Sequence, residues 1–332
     1  MNILHITSHF GGGLGTVIRS WVEKDTFHNH TVFSLDILDF KTIAWIWAGS
    51  RSPYIVYSKT MENYPQVICE LITESDIVVV HWYDHPMLIE LFSRSLPACR
   101  LIFWCHKNYL VPQRELDYPD LFIDTSPIQG HGQYIWSTGN MDRFLAIQPE
   151  PHEGFNVGYI GTVDYKKMHK NFLLMCAKIA QLIPNVHFTV IGDNNIGGVN
   201  SDLFTFTGKV DDVASYLAEM DVFGYPLRLD HLGTCEQVLG EAMTAGIVPV
   251  TMNNPAERKI VQHHFNGFIA KTKKEYTDWI KFLYRNPTWR KWMSDNAQTT
   301  AKELYSIDTM IAKWKEVFEE IMEKPKRSRG IL

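Results

Sequence analysis

Two successive series of short apolar runs, separated by amphipathic segments, are the feature that most constrains this chain. Such alternation is typical of parallel sheets whose strands are joined by covering helices. In the first half the candidate strands are residues 2–6, 30–35, 54–57, 76–80, 100–105, 121–124 and 143–147. A second series begins at Phe155, after a polar stretch with two prolines. The pattern predicts an α/β protein with two Rossmann-like lobes and a ligand-binding cleft between them.

The composition agrees with a folded protein of this size and excludes several classes. The chain has 332 residues, of which 45% are hydrophobic and 13% aromatic, which is enough for two domains. A net charge of -5 gives no basic excess for broad nucleic-acid binding. The five cysteines lack CxxC spacing, so neither a disulfide framework nor a zinc site is predicted.

Two further expectations concern location and domain limits. No apolar run approaches the ~18 residues that span a bilayer, and the start MNILHIT lacks the pattern of a signal peptide. We therefore expect a cytoplasmic protein. The polar stretch at residues 148–154 predicts a boundary between a first lobe at residues 1–150 and a second lobe at residues 151–305, with a final segment at residues 306–332.

The stretch from residue 228 to residue 254 contains the clearest local signals. The sequence Thr234-Cys235-Glu236-Gln237 is a capping box, which predicts that a helix starts at Thr234. Gly246 suits the left-handed position that ends such a helix, and the strand IVPVTM follows. Because Gly233 precedes the cap, the free amides of Gly233, Thr234 and Cys235 at the positive end of the helix dipole predict a phosphate site.

Glu241 lies two turns further along the same helix, away from its apolar face. A lone glutamate there is usually a solvated residue. However, the run GEAMTAGIVPV, followed by NPAERKIVQHHFNGFIA, resembles the donor-binding signature of GT-B glycosyltransferases of the retaining family 4-like group, the glycosyl transferases group 1. In that family a glutamate is followed, after seven residues, by a second glutamate, Ala-Met and a Gly-x-Pro-Val strand. The resemblance implies that Glu241 holds the ribose of a nucleotide.

The resemblance also implies a pair of cations that clamp the donor diphosphate. The segment GYIGTVDYKK resembles the family's glycine-arginine turn followed by a lysine, and Lys167 matches that lysine. The arginine position is occupied by Thr162, so one clamp charge is missing. Arg228 is our candidate for the missing cation, and Arg19 is the alternative.

Two other motifs match the family in part. The turn that includes Gly208 and Val210 resembles the one against which the nucleotide base packs. Gly233 stands where the family has its first glutamate, which contacts the sugar. We expect Glu236, or Asp230, to have taken over that contact.

In the first lobe, histidines follow two apolar strands at the edge where open α/β sheets bind ligands. For His81, a hydrogen bond into the following loop is the more common role. For His106, the resemblance implies a position facing the donor sugar. Upstream, the run GGGLG opens a helix, and Gly12 and Gly13 let the backbone approach a phosphate or a sugar.

Two alternatives from other functional classes remain open. The glycine-rich turn, with Asp36 as a ribose acid, is also compatible with an NAD-dependent oxidoreductase. The spacing disfavours it, because Thr16 or Ile18 stands where the third glycine of GxGxxG belongs. The second alternative is a non-catalytic nucleotide-sugar or glycan-binding protein, since Thr162 and Gly233 depart from the family pattern.

The resemblance thus predicts transfer of a hexose or pentose from a UDP- or GDP-sugar to an acceptor hydroxyl, with retention of configuration and without a metal or another cofactor. The acceptor stays open between a glycan, a lipid-linked glycan, a small molecule, a protein and a modified nucleic-acid base. The family fold implies that the last helix packs back onto the first lobe. An aromatic and basic run at residues 276–293 is compatible with peripheral membrane contact, although core packing is more common. The basic tail at residues 324–332 is expected to be frayed.

Overall fold

The computed structural model describes residues 1–36, 38, 54–57, 63–197 and 202–332. They form two compact units. The first comprises Met1–Asn140 together with Ser306–Leu332, and the second comprises Met141–Tyr305. The acceptor-side and donor-side roles of the predicted lobes stay predictions.

The first unit alternates strands and helices. In chain order these are β1 (Asn2–Thr7), α1 (Gly12–Lys24), β2 (Asn29–Ser34), β3 (Tyr54–Tyr57), α2 (Tyr64–Glu74), β4 (Ile77–Trp82), α3 (Pro86–Phe92), β5 (Leu96–Cys99), β6 (Leu101–Cys105), α4 (Gln113–Asp117) and β7 (Leu121–Asp124). Six of the strands form a parallel sheet in the order β3-β2-β1-β4-β6-β7. This order brings the carboxyl ends of β1, β4 and β6 together at one edge, where α/β sheets bind ligands.

Both faces of this sheet are covered, which explains why its strands are continuous apolar runs. Successive residues of β4 alternate between two cores: Val78 and Val80 join one, while Ile77 and Val79 join the other. At the start of α1, Gly15 is required by a close approach, because a Cβ there would lie 2.0 Å from the Phe10 carbonyl oxygen. The turn that opens α1 can therefore pack only with glycine at this position.

The second unit repeats the architecture. Its elements are α5 (Asp142–Leu145), β8 (Phe155–Ile160), α6 (Phe172–Ala180), β9 (Val186–Ile191), β10 (Phe204–Gly208), α7 (Ala214–Ala218), β11 (Val222–Tyr225), α8 (Gln237–Thr244), β12 (Val248–Met252), α9 (Glu257–Ile260), β13 (Phe268–Ala270), α10 (Lys273–Arg285) and α11 (Pro287–Leu304). The sheet is parallel, in the order β10-β9-β8-β11-β12-β13. The carboxyl ends of β8 and β11 are therefore neighbours at its centre.

The last segment belongs to the first unit. It contains α12 (Ile307–Met322) and β14 (Arg327–Arg329). Trp314 of α12 is fully buried and stacks on Trp21 of α1 at 4.6 Å between ring centroids, and Phe318 joins the same core. The packing of the last helix on the first lobe, implied by the family fold, is confirmed.

Two predictions about local structure were wrong. No strand forms at residues 143–147, because the chain forms the helix α5 there. The N-cap Met141 and Phe144 of the helix are both buried and lie three residues apart, as a helical period requires. The basic tail is ordered, since β14 pairs with β5 in the antiparallel direction. Its Arg327 and Arg329 both form ion pairs with Asp120. The sequence does not show these ion pairs, because Asp120 lies two hundred residues away from the tail.

Candidate functional site

The candidate site of the second unit lies where β8 and β11 end. After β8 the chain forms a turn that places Lys167 beside the loop that follows β11. The Arg228 amide donates to the Lys167 carbonyl oxygen at 2.9 Å, and the His169 amide donates to the Pro226 carbonyl oxygen at 2.8 Å. Two loops that are sixty residues apart in sequence are thus joined through their backbones.

Glu236 supplies a buried carboxylate to this site. Its Oε2 accepts a hydrogen bond of 2.6 Å from the Tyr225 hydroxyl, and its Oε1 lies 3.0 Å from Nε2 of His231. Nζ of Lys167 lies 3.6 Å from Oε2 and 5.5 Å from the centre of the Tyr225 ring. Burial alone would raise the pKa of Glu236, but Lys167, His231 and Tyr225 outweigh it and hold the pKa below its usual value. The carboxylate is therefore charged at neutral pH.

The predicted start of the helix beside this site was wrong. Helix α8 begins at Gln237, its N-cap is Glu236, and no side chain caps it, so Thr234 does not form a capping box. Glu236 has φ 36° and ψ 69°, a left-handed conformation that is costly for a residue with a side chain. The Tyr305 hydroxyl donates to the carbonyl oxygens of Cys235, at 2.6 Å, and Glu236, at 3.2 Å, which holds the strained turn in place.

Gly233 is required by space. A Cβ at this position would lie 1.7 Å from Oε1 of Glu236 and 2.6 Å from Nε2 of His231. A side chain on residue 233 and the carboxylate of Glu236 therefore exclude each other. The resembling family has a glutamate at this position. Here the position is a glycine, and the Glu236 carboxylate fills the space that a side chain would occupy.

A second buried glutamate, Glu257, stands near Glu236. Asn254 donates to its Oε1 at 2.9 Å, while its Oε2 has no hydrogen-bond partner among the described residues. Burial raises the pKa of Glu257, and the charge of Glu236 raises it further. Glu257, Tyr225 and His231 were not predicted from the sequence as site residues. Glu257 was visible only as one letter of the NPAERKI motif.

Glu241 lies on the first two turns of α8 and is half-buried. Burial raises the pKa of its carboxyl group to about 7, with Arg143 lowering the pKa and Asp212 raising it by smaller amounts. At neutral pH its carboxyl group is thus balanced between the neutral and the charged forms. A hydroxyl group that donates a hydrogen bond to it shifts that balance toward the carboxylate.

The structure also locates the other predicted residues of the second unit. Arg228 pairs with Asp230, its Nε lying 2.8 Å from Oδ1, and both side chains are largely exposed. Thr162 is exposed, and its carbonyl oxygen accepts from the Tyr159 hydroxyl at 2.9 Å. Gly208 ends β10, with Val210 two residues beyond it. The structure therefore brings Lys167 and Glu236 together, and it pairs Arg228 with another acid.

In the first unit, His106 follows β6 directly and is half-buried. His81 lies inside β4 and is fully buried, and its ring bonds to His5 and His106. The loop hydrogen bond expected for His81 was therefore wrong. Gly12 and Gly13 are exposed at the start of α1, which has no side-chain cap.

One set of side chains in the first unit has the composition of a metal site. The ligand atoms of Asp25, His28 and His30 lie within 4.8 Å of one another. Oδ2 of Asp25 is 2.8 Å from Nδ1 of His28 and 3.1 Å from Nε2 of His30. These are hydrogen-bond distances, so the carboxylate already satisfies both rings.

Comparison with known families identifies the second unit. Residues 140–300 match the family model described as Glycosyl transferases group 1, and all but the first of them lie in the second unit. That unit therefore contains a glycosyl transferases group 1 domain. No curated protein matches the chain in sequence.

Several solved structures are similar over nearly the whole chain. Anabaena Alr3699/HepE in complex with UDP-glucose is 14% identical with a TM-score of 0.75, covering 96% of this chain and 100% of that one. A glycosyltransferase from Rickettsia africae is 13% identical with a TM-score of 0.78, covering 97% and 99%. Sucrose-phosphate synthase from Thermosynechococcus elongatus is 14% identical with a TM-score of 0.74, covering 97% and 100%. The predicted α/β fold with two Rossmann-like lobes of the GT-B type is confirmed.

Within the described parts of the chain, every helix is too short or too polar to cross a bilayer.

Proposed function

We propose that this protein transfers a sugar from a UDP-sugar to an acceptor hydroxyl with retention of configuration and without a divalent metal. The observation that carries the proposal is the pairing of Lys167 with the buried, charged Glu236 at the centre of a group 1 domain. UDP is favoured over GDP because Alr3699/HepE, which has this fold, is complexed with UDP-glucose. The location remains a proposal as well, and we place the protein in the cytoplasm.

Lys167 and Glu236 suit opposite parts of such a donor. A lysine at the carboxyl edge of a parallel sheet can neutralise a diphosphate, which is the group that carries the negative charge of a nucleotide sugar. A carboxylate can accept hydrogen bonds from sugar hydroxyls. In the structure the two charges satisfy each other at 3.6 Å. Donor binding would exchange this ion pair for two sets of contacts, Lys167 with phosphate and Glu236 with sugar.

The remaining site residues complete the proposed donor site. Glu241 would hold the ribose, the turn at Gly208 and Val210 would pack against the base, and the amides of Gly233, Thr234 and Cys235 would face phosphate. From the first lobe we assign Gly12 and Gly13 to the donor and His106 to the sugar. Arg228 would serve as the second cation by leaving Asp230, with Arg19 as the alternative.

The donor class is tested by the thermal stability of the protein with UDP, GDP, ADP and NAD. Ligand that binds only the folded state raises the midpoint of unfolding. We expect UDP to give the largest increase, with a UDP-sugar then being hydrolysed or transferred. A larger shift with NAD than with any diphosphate would replace the proposal by an oxidoreductase. A shift with UDP but no turnover of any UDP-sugar would indicate a non-catalytic nucleotide-sugar-binding protein.

Retention is the stereochemical prediction. Attack by the acceptor from the face that the diphosphate leaves forms the new carbon–oxygen bond as the old one breaks, and a phosphate oxygen takes the acceptor proton. This route needs a cation on the leaving group, for which Lys167 is available, and no protein nucleophile. Product and donor should therefore share one anomeric configuration. Proton NMR of the fresh product reports it through the anomeric coupling constant, and an inverted product would require a protein base instead.

The Glu241 prediction uses the pKa of its carboxyl group. Hydrogen bonds to a charged acceptor contribute about 1.5 to 3 kcal/mol, so Glu241→Ala should weaken UDP-glucose binding about 10- to 150-fold. Because the pKa is raised to about 7, the charged form is lost as pH falls through 7. The difference between wild type and variant should thus be larger at pH 8 than at pH 6. Calorimetric titration at both values measures it, and a difference independent of pH would remove Glu241 from the donor site.

A further inference from the structure

A chain of hydrogen-bonded histidines runs through the interior of the first unit. Nε2 of His30 lies 3.1 Å from Oδ2 of Asp25, and Nδ1 of His30 lies 2.8 Å from Nε2 of His5. Nδ1 of His5 lies 3.1 Å from Nε2 of His81, and Nδ1 of His81 lies 3.0 Å from Nε2 of His106. One continuous path therefore leads from a buried carboxylate to the carboxyl edge of the sheet.

The path crosses the sheet because β2, β1 and β4 are neighbours and carry His30, His5 and His81 respectively. All three histidines are buried. The indole of Trp21 packs edge-on against His5 at 4.8 Å between ring centroids, and Trp104 lies 5.6 Å from His81. Since buried polar groups are costly without partners, these rings must satisfy one another.

The charge state of the path is set by its surroundings. Burial is the main cause that lowers the pKa of every histidine along it, and for His106 it does so to about 3. All four rings are therefore neutral at pH 7. Burial opposes the charge of Asp25, but hydrogen bonds from His30, His28 and the Phe27 amide hold its pKa below the usual value. Asp25 is thus a carboxylate, which can only accept.

The carboxylate fixes the direction of every hydrogen bond. A neutral imidazole has one N–H and one bare nitrogen. Because Asp25 accepts from Nε2 of His30, Nδ1 of His30 is bare and must accept from Nε2 of His5. By the same step, the bare Nδ1 of His5 accepts from His81, and the bare Nδ1 of His81 accepts from Nε2 of His106. Nδ1 of His106 therefore has no proton and keeps its lone pair, and none of the described residues is hydrogen-bonded to it.

We propose that Asp25, His30, His5 and His81 are positioning residues that hold His106 in the tautomer with a proton on Nε2 and a bare Nδ1. His106 then accepts a hydrogen bond from a ligand and donates none. The relay is fixed before any ligand binds, because every bond in it is already formed. His106 can accordingly contact the donor without first reorganising its proton.

This direction selects the chemistry that His106 recognises. A bare imidazole nitrogen pairs with a hydroxyl and is repelled by a phosphate oxygen or a carbonyl oxygen, which are acceptors themselves. Resting on the proposed function, the ligand group is a hydroxyl of the donor sugar rather than the diphosphate. A deoxy sugar that lacks that hydroxyl should be discriminated against, because the nitrogen would be left unpaired.

The test is nitrogen NMR of the full chain labelled with 15N-histidine, which distinguishes protonated from bare ring nitrogens without any ligand. The wild type should show Nε2 protonated and Nδ1 bare for His106. In Asp25→Asn, the side-chain oxygen can still accept the hydrogen bond from the backbone amide of Phe27. The NH₂ group then faces His28 and His30, and it donates where the carboxylate accepted. Every bond of the relay should then reverse, and His106 should carry its proton on Nδ1.

His28→Gln is the matched control, because His28 bonds to Asp25 but lies outside the path. It should leave the His106 tautomer unchanged. If Asp25→Asn does not fold, His30→Gln interrupts the same path and should give His106 a mixture of two tautomers. A His106 tautomer unaffected by both Asp25→Asn and His30→Gln overturns the proposal. So does a metal ion bound stoichiometrically to Asp25, His28 and His30, since the metal would occupy Nε2 of His30 and reverse the path.

The activity measurement separates this inference from the proposed function. In Asp25→Asn, kcat/KM for the UDP-sugar should fall about 10- to 100-fold, the loss expected when one hydrogen bond is reversed, while UDP itself binds as before. A single His106 tautomer without turnover of any UDP-sugar would support the relay and contradict the proposed function. Turnover of a UDP-sugar by a wild type whose His106 samples both tautomers would contradict only the relay.

Discussion

Replacing Lys167 with alanine is expected to slow sugar transfer about 30- to 1000-fold, which corresponds to about 2 to 4 kcal/mol of lost transition-state stabilisation. The ammonium group stands at the carboxyl edge of the second sheet, 3.6 Å from the Glu236 carboxylate. As the bond to the diphosphate breaks, negative charge grows on the leaving group. A cation held in a site of reduced dielectric stabilises that charge most in the transition state.

Two variants make this result specific, with kcat/KM for a UDP-sugar as the measurement. Lys170→Ala removes an exposed lysine three residues away and should change the rate little. Lys167→Met keeps an apolar side chain of similar length and removes the ammonium group that lies 5.5 Å from the centre of the Tyr225 ring, so it should resemble Lys167→Ala. Equal losses in Lys167→Ala and Lys170→Ala would place the diphosphate elsewhere.

The second large effect is expected for Glu236→Gln. The amide keeps the size of the side chain and one acceptor but loses the charge, so the affinity for a UDP-sugar should fall about 10- to 150-fold, or about 1.5 to 3 kcal/mol. UDP, which has no sugar, should bind nearly as well as to the wild type. Calorimetric titration with the two ligands measures the difference. Equal losses for both would mean that Glu236 only supports the start of α8.

Gly233→Ala provides the matching steric variant. It leaves every charge in place, but the added methyl group would lie 1.7 Å from Oε1 of Glu236 and so displace the carboxylate. Like Glu236→Gln, it should weaken the binding of the UDP-sugar much more than the binding of UDP. A variant that binds both ligands like the wild type would show that the position of this carboxylate is unimportant.

Much of the fold could be predicted from the sequence because parallel strands that are buried on both faces are continuous apolar runs. The predicted strand at residues 121–124 agrees residue for residue with β7, and the second series begins at Phe155, where β8 begins. The end of α8 was also predictable, since Gly246 has φ 78°. The helix α5 was missed because a segment of four residues is too short to show a clear helical period in the sequence.

The candidate site was less predictable, because its geometry depends on contacts across the fold. Thr234 and Gln237 have the spacing of a capping box, yet Tyr305, seventy residues away, holds the backbone in another conformation. The histidine relay depends on strand order, which the sequence does not show. A signal was nevertheless present, since His5 and His81 fall at positions where the alternation within β1 and β4 predicts a core residue.

The rate at which the purified chain releases UDP from UDP-sugars, measured in EDTA for the wild type beside Lys167→Ala, tests the central claim most directly. We predict that at least one UDP-sugar is turned over, that the rate persists in EDTA, and that Lys167→Ala loses most of it. Failure to release UDP from any UDP-sugar, or a rate that requires manganese and is unaffected by Lys167→Ala, would contradict it.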